Sequence, residues 1–229
     1  MKKLVLILMV TVFVTINAQQ FSVEKISGEV YVLRGTSEQW IPVKTGDKLS
    51  GKDVIQTSEN ATIRLQSGNS SFVLQRNAAV SLGFVKSITL NDLLLALAME
   101  DIRNVPKNQN KGNTKNTAVY GDDKSSTAPT SVSNTNELGI KRLNGAKQLA
   151  QAGYKESGVL AAKETYRMYP STKSLVNERM FFVDLLIDMK LYSEALEELQ
   201  SIKTYSSGKD LQLVQTKTDL VKNLLATHK

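Results

Sequence analysis

The hydrophobic pattern changes period once along the chain, and that change restricts the fold more than any short motif does. From Phe21 to about Lys86 apolar residues alternate with polar ones in short runs: Glu29-Val30-Tyr31-Val32-Leu33, Ala61-Thr62-Ile63-Arg64-Leu65-Gln66, Ser71-Phe72-Val73-Leu74-Gln75 and Ala79-Val80-Ser81-Leu82-Gly83-Phe84. Period two with turn signals between the runs predicts a compact antiparallel β domain with one buried face and one wet face. From Glu137 onward the spacing becomes three and four. Ile140, Leu143, Ala146 and Ala150 share one helical face, and Val159, Ala162, Tyr166 and Tyr169 share the next. Leu175–Met189 is apolar on two stripes, as for a helix buried on both sides. Ala195, Leu199 and Ile202 face inward behind a cap at Ser193, and Leu211, Val214, Val221 and Leu224 mark a final helix with a lysine-bearing outer face. The fold class is therefore α+β and multidomain: an N-terminal antiparallel β-rich domain, a polar linker, and a C-terminal all-α domain of helical hairpins.

The boundaries follow from composition. Residues 1–18 have a basic start at Lys2-Lys3, an apolar run from Leu4 to Ile16 and a small residue, Ala18, before Gln19, the layout of a secretory signal peptide. That run is short for a bilayer, and no cysteine follows Ala18 to carry a lipid anchor. Residues 19–103 form the β-rich domain, ending in a short helix from Asp92 to about Arg103, capped by Thr89 or Asn91 and packed on the sheet. Residues 104–135 are rich in Asn, Lys, Ser, Thr, Gly and Asp and read as a flexible linker, because so polar a segment does not offset its own ordering entropy. Thr117-Ala118-Val119-Tyr120-Gly121 within it has the pattern of a late edge strand. Residues 136–229 form the helical domain, and the linker predicts two modules that fold independently.

Chemistry is sparse. The chain has no cysteine, and its one histidine, His228, stands next to the last residue, so no Cys-His or Ser-His-Asp set and no ordinary zinc site can be assembled. Asp47 and Asp53 sit beside glycines and read as turn carboxylates, and Asp122-Asp123 as a solvated pair. No catalytic, cofactor-binding or metal-ligating residue is assigned, and the chain reads as a non-enzyme. The sequence carries 29 Lys+Arg, of which two precede Ala18; the remaining 27 face 22 Asp+Glu, a net of +5. Spread among acidic residues, these cations do not form a nucleic-acid stripe. Tyr31 and Trp40 are the aromatic residues a carbohydrate reader would use, and Asn60-Ala61-Thr62 and Asn69-Ser70-Ser71 match glycosylation acceptors.

Two stretches resemble known families. Gly28-Glu29-Val30, Trp40-Ile41-Pro42-Val43, Gly46-Asp47-Lys48-Leu49, Gly51-Lys52-Asp53-Val54-Ile55-Gln56-Thr57 and Leu65-Gln66-Ser67-Gly68, in that order, resemble the FecR domain, a β module of the bacterial envelope. The resemblance implies an envelope-side β module. It does not extend to the cytoplasmic segment and membrane helix through which FecR regulators act on a sigma factor, so no anti-sigma role is implied. Leu185-Leu186-Ile187-Asp188-Met189-Lys190-Leu191-Tyr192-Ser193-Glu194-Ala195-Leu196 resembles the turn of a tetratricopeptide repeat, with Lys190 where that family usually has glycine. Ala152-Gly153-Tyr154-Lys155-Glu156-Ser157 is a degenerate copy 38 residues upstream. Together these readings lead to a periplasmic or secreted interaction or scaffolding protein that holds a protein partner of the envelope in its helical module. The alternative is a cell-wall or polysaccharide binder acting through the β module. Nucleic acid and a stable membrane span after signal cleavage are not expected.

Overall fold

The structure is a computed structural model that describes residues 19–37, 39–104 and 131–227, without the side chains of residues 100–104 and 131–135. The expected signal segment, the Thr117–Gly121 strand, Asp122-Asp123 and His228 lie outside the described residues, as does most of the expected linker. The described residues form a mixed α+β protein with two four-stranded antiparallel sheets and six α-helices.

The strands are β1 (Gln20–Ser27), β2 (Val30–Leu33), β3 (Trp40–Pro42), β4 (Lys48–Ser50), β5 (Val54–Thr57), β6 (Thr62–Ser67), β7 (Ser70–Leu74) and β8 (Ala79–Ser81). One sheet runs β4-β1-β6-β7 and the other β3-β2-β5-β8. Phe21, Val23, Leu49, Ile63, Leu65, Phe72 and Leu74 of the first sheet share a core with Val30, Val32, Ile55 and Val80 of the second. The sequence alternation thus becomes a two-layer sandwich. A bulge between Val23 and Lys25 breaks the alternation in β1, leaving Glu24 and Lys25 both exposed. Between β1 and β2, Gly28 has φ +73°, and a Cβ there would lie 2.7 Å from the Asn60 carbonyl oxygen, so this turn requires glycine twice over. Asp47 and Asp53 act as turn carboxylates. Asp47 accepts from the Lys44 amide at 2.9 Å, and Asp53 accepts from the Ser50 amide at 2.9 Å and the Gly35 amide at 3.2 Å.

The helices are α1 (Leu90–Asn104), α2 (Ser131–Gln151), α3 (Lys155–Met168), α4 (Val176–Asp188), α5 (Tyr192–Lys203) and α6 (Gly208–Thr227), with a 3-10 turn at Pro170–Ser174 between α3 and α4. Helix α2 therefore begins five residues inside the stretch read as linker. At the start of α1 the Thr89 hydroxyl accepts from the Asp92 amide while the Asp92 carboxylate accepts from the Thr89 amide, both at 3.1 Å. This reciprocal cap selects Thr89 over Asn91. Helix α5 starts at Tyr192, one residue before the serine expected to cap it, and has no side-chain cap. Ile140 is 42% exposed; the inward face of α2 is Leu143, Gly145, Ala146, Leu149 and Ala150. Helix α4 touches α2, α3 and α5, which accounts for its apolar character on two sides.

Lys190, in the turn between α4 and α5, has φ +60°, a left-handed conformation that a Cβ disfavours. The side chain is exposed and makes no contact that favours lysine. Lys190→Gly is expected to stabilise the protein by about 1 kcal/mol, raising Tm by about 3 °C in a thermal melt, and an unchanged or lower Tm would show that this turn carries no strain.

The two modules pack on each other, contrary to the expectation of independent units joined only by a linker. The reason lies in two helices that sequence reading treated singly. Helix α2 crosses edge strand β8 so closely that a Cβ on Gly145 would overlap the Ala79 carbonyl oxygen. On either side, Asn144 Nδ2 donates to the Asn77 carbonyl at 2.8 Å, and Gln148 Oε1 accepts from the Gln75 amide at 2.7 Å. Helix α1 packs on α3, burying Leu93 and Leu97, and leaves Leu95 63% exposed. Covering β8 removes a row of open backbone groups from solvent, a general requirement for sheet edges.

Candidate functional site

The helical stack leaves a groove of about 210 Å3 open between α1, α3, α4 and α5. Its apolar wall is Leu97 of α1, and its far rim carries Glu194 and Glu197 of α5. Lys163, Tyr166 and Arg167 come from α3, Lys173 from the 3-10 turn, Arg179 from α4, and Glu198 and Ser201 from α5.

Arg179 and Glu198 form the base of the groove, each 2% exposed. Arg179 Nε donates to Glu198 Oε1 at 2.8 Å, Nη1 to the Lys173 carbonyl at 3.0 Å and Nη2 to Ser201 Oγ at 2.8 Å. Lys163 Nζ reaches the other carboxylate oxygen of Glu198 at 2.7 Å. Burial acts to raise the pKa of Glu198, but the Lys163 and Arg179 charges and their hydrogen bonds outweigh it together, so the carboxyl is held below the usual range. The guanidinium also stacks 5.1 Å from the Tyr166 ring centroid and 5.9 Å from that of Tyr205.

Tyr166 is 5% exposed, and its hydroxyl meets the geometry of a full hydrogen bond with no described residue, its polar neighbour being the Arg179 guanidinium. Burial first, then the Glu198 charge, raises its pKa well above the ordinary phenol value against the opposing charge and hydrogen bond of Arg179, so it stays protonated at physiological pH. A buried polar group without a partner is uncommon and costs free energy. The groove therefore presents an unused donor near its floor and charges of both signs at its rim. Ser201 gains no base from Arg179, which has no lone pair to take a proton. Among the described residues no three potential metal ligands converge.

Tyr31 and Trp40, the aromatic pair of the glycan alternative, lie on the outer face of the second sheet, where Leu33 pairs with Trp40 and Tyr31 with Pro42. Both are half-buried, and the Tyr31 hydroxyl donates to Glu29 at 3.2 Å. That hydrogen bond, followed by the Glu29 charge, raises the Tyr31 pKa. The helical-module tyrosines do not gather into a cage. Tyr154 meets Phe72 edge-on at 6.3 Å, Tyr169 lies under Arg142 at 5.7 Å, and Tyr166 alone reaches the groove floor.

Arg179 and Glu198 escaped the sequence reading, although a signal existed. Arg179 stands four residues after Leu175 and three before Phe182, inside an apolar stripe, and Glu198 stands three after Ala195 and four before Ile202. Two charges of opposite sign on the inward faces of adjacent helices point to a buried pair.

Comparison with protein-family models, with curated proteins and with solved structures found no match to this chain.

Proposed function

We propose that the protein is an exported, non-enzymatic interaction protein of the bacterial cell envelope that holds a polar segment of a protein partner in the groove of its helical module. The observation that carries this reading is Tyr166, which lines an open cavity while its buried hydroxyl makes no full hydrogen bond within the protein. An incoming backbone carbonyl or side-chain acceptor that displaces the side chains covering the hydroxyl would satisfy it, and the mixed charges of Lys173, Arg167, Glu194 and Glu197 suit a segment bearing both signs. Export is supported by the Lys2-Lys3 start and the apolar run to Ile16, and the envelope location by the FecR-like order of motifs. No helix among the described residues is long and apolar enough to cross a membrane.

Tyr166→Phe tests the reading in the full chain, because it removes the hydroxyl and keeps the ring. Loss of an unsatisfied buried donor is expected to leave stability unchanged or slightly raised, while photocrosslinks formed in the native envelope from Glu197, replaced by a photoreactive residue, fall by about tenfold. A protein that yields no discrete crosslink from Glu197, or one whose crosslinks ignore Tyr166→Phe, does not use this groove.

A further inference from the structure

A second concavity, of about 240 Å3, opens where the sandwich meets the helical stack, and it shares no lining residue with the groove. Its floor is the inner face of the first sheet, Phe21, Leu65 and Phe72, each no more than 2% exposed. One wall is Tyr154, packed edge-on against Phe72. Four serines, Ser67, Ser70, Ser71 and Ser87, stand around it, and their hydroxyls bond to no described residue. Gln19 spends its amide nitrogen on the Val85 carbonyl at 2.8 Å, which leaves its amide oxygen as an acceptor. No carboxylate lines this cleft, and its one charged side chain is the exposed Lys86.

We propose that this cleft binds one ring of an uncharged saccharide. A sugar ring offers an apolar C–H face for the half-buried Tyr154 ring and a rim of hydroxyls that both donate and accept, matching the serines. Serine hydroxyls rotate to serve either role, so each can match a sugar hydroxyl whichever way that group is turned. A wholly apolar ligand would bury these serines unsatisfied, at a cost in free energy. An anion would find a single cation, the exposed Lys86, and no second positive group. The volume corresponds to about eight waters, on the scale of a single ring and below the usual range of a drug-sized site. The inference stands apart from the groove. It gives the glycan alternative a location in the β module, at its junction with the helices, distinct from the face that carries Tyr31 and Trp40.

Titration of the full chain with N-acetylglucosamine trimer, maltotriose and cellotriose, followed by calorimetry and by amide NMR shifts, tests it. At least one of the three is expected to bind with Kd of about 1 mM or tighter and to shift the amides of residues 67–72 and 85–87. Ser71→Ala with Ser87→Ala should weaken that binding about tenfold at unchanged Tm, and Ser70→Trp, which fills the mouth, should abolish it. Absence of binding by all three sugars at about 10 mM, or binding that survives Ser70→Trp undiminished, overturns the proposal whatever the groove experiment shows.

Discussion

Glu198→Ala is expected to lower the unfolding free energy by about 3–5 kcal/mol, measured by urea denaturation at neutral pH. The loss does not measure the worth of the ion pair. Removing the carboxylate leaves Arg179, 2% exposed, with the Lys173 carbonyl, Ser201 Oγ and the Tyr166 and Tyr205 rings as partners and no paired counter-charge against its guanidinium. It also deprives Lys163 of its partner. The double replacement Arg179→Met with Glu198→Leu removes both buried charges and should recover most of the loss, because an apolar pair of similar volume escapes the desolvation cost. A double variant as unstable as Glu198→Ala would show that the network stabilises the stack beyond charge matching. The pH dependence has a defined sign. Because the carboxyl titrates lower in the folded protein than in the unfolded chain, its contribution is complete above the unfolded value of 4.5 and disappears as the pH falls through the folded value. Glu198→Gln should therefore flatten the acid limb of the stability curve and leave the alkaline limb unchanged.

Gly145→Ala should destabilise the protein by about 2–3 kcal/mol, although alanine favours a helix over glycine by about 1 kcal/mol. The two effects oppose each other, so the sign of the result is diagnostic. The overlapping atom is the backbone carbonyl oxygen of Ala79, a residue paired with Gln56 of β5, and unlike a flexible side chain it cannot swing aside. Relief requires α2 to lift from β8, which would stretch the Asn144 bond to Asn77 and the Gln148 bond to Gln75. Hydrogen exchange should accelerate at Gln75 and along β8, while the β1–β6 ladder exchanges as before. A rise in Tm with unaltered exchange at Gln75 would mean that α2 does not sit on β8 in solution.

The helices and the strands β2, β6, β7 and β8 were legible in the sequence because both rest on local periodicity, whereas β1, β3, β4 and β5 were not singled out. Val30 and Val32, or Ile63 and Leu65, must share a face in any extended chain, and the two apolar stripes of Leu175–Met189 place that helix inside a stack whatever surrounds it. Their placement on particular partners was less accessible. The short helix after the β domain was expected on the sheet, yet α1 buries Leu93 and Leu97 in the direction of α3, because its apolar residues specify burial and not the surface that provides it. The groove was legible only in outline. A stack of hairpins implies an open face, but Tyr166 looked like one packing tyrosine among several.

What the sequence by itself determined is the type of the helices and of half the strands, together with the turns at Asp47 and Asp53, since each depends on neighbours a few residues away. Only the tertiary structure decided that the modules dock, that Gly145 allows it, that Arg179 and Glu198 meet, and that the Tyr166 hydroxyl is left without a full hydrogen bond. Those outcomes join residues far apart in the chain, such as Ala79 with Gly145. An amphipathic pattern records how much of a surface is buried; which surface covers it depends on shape and on pairing of polar groups across that distance, and neither leaves a periodic trace.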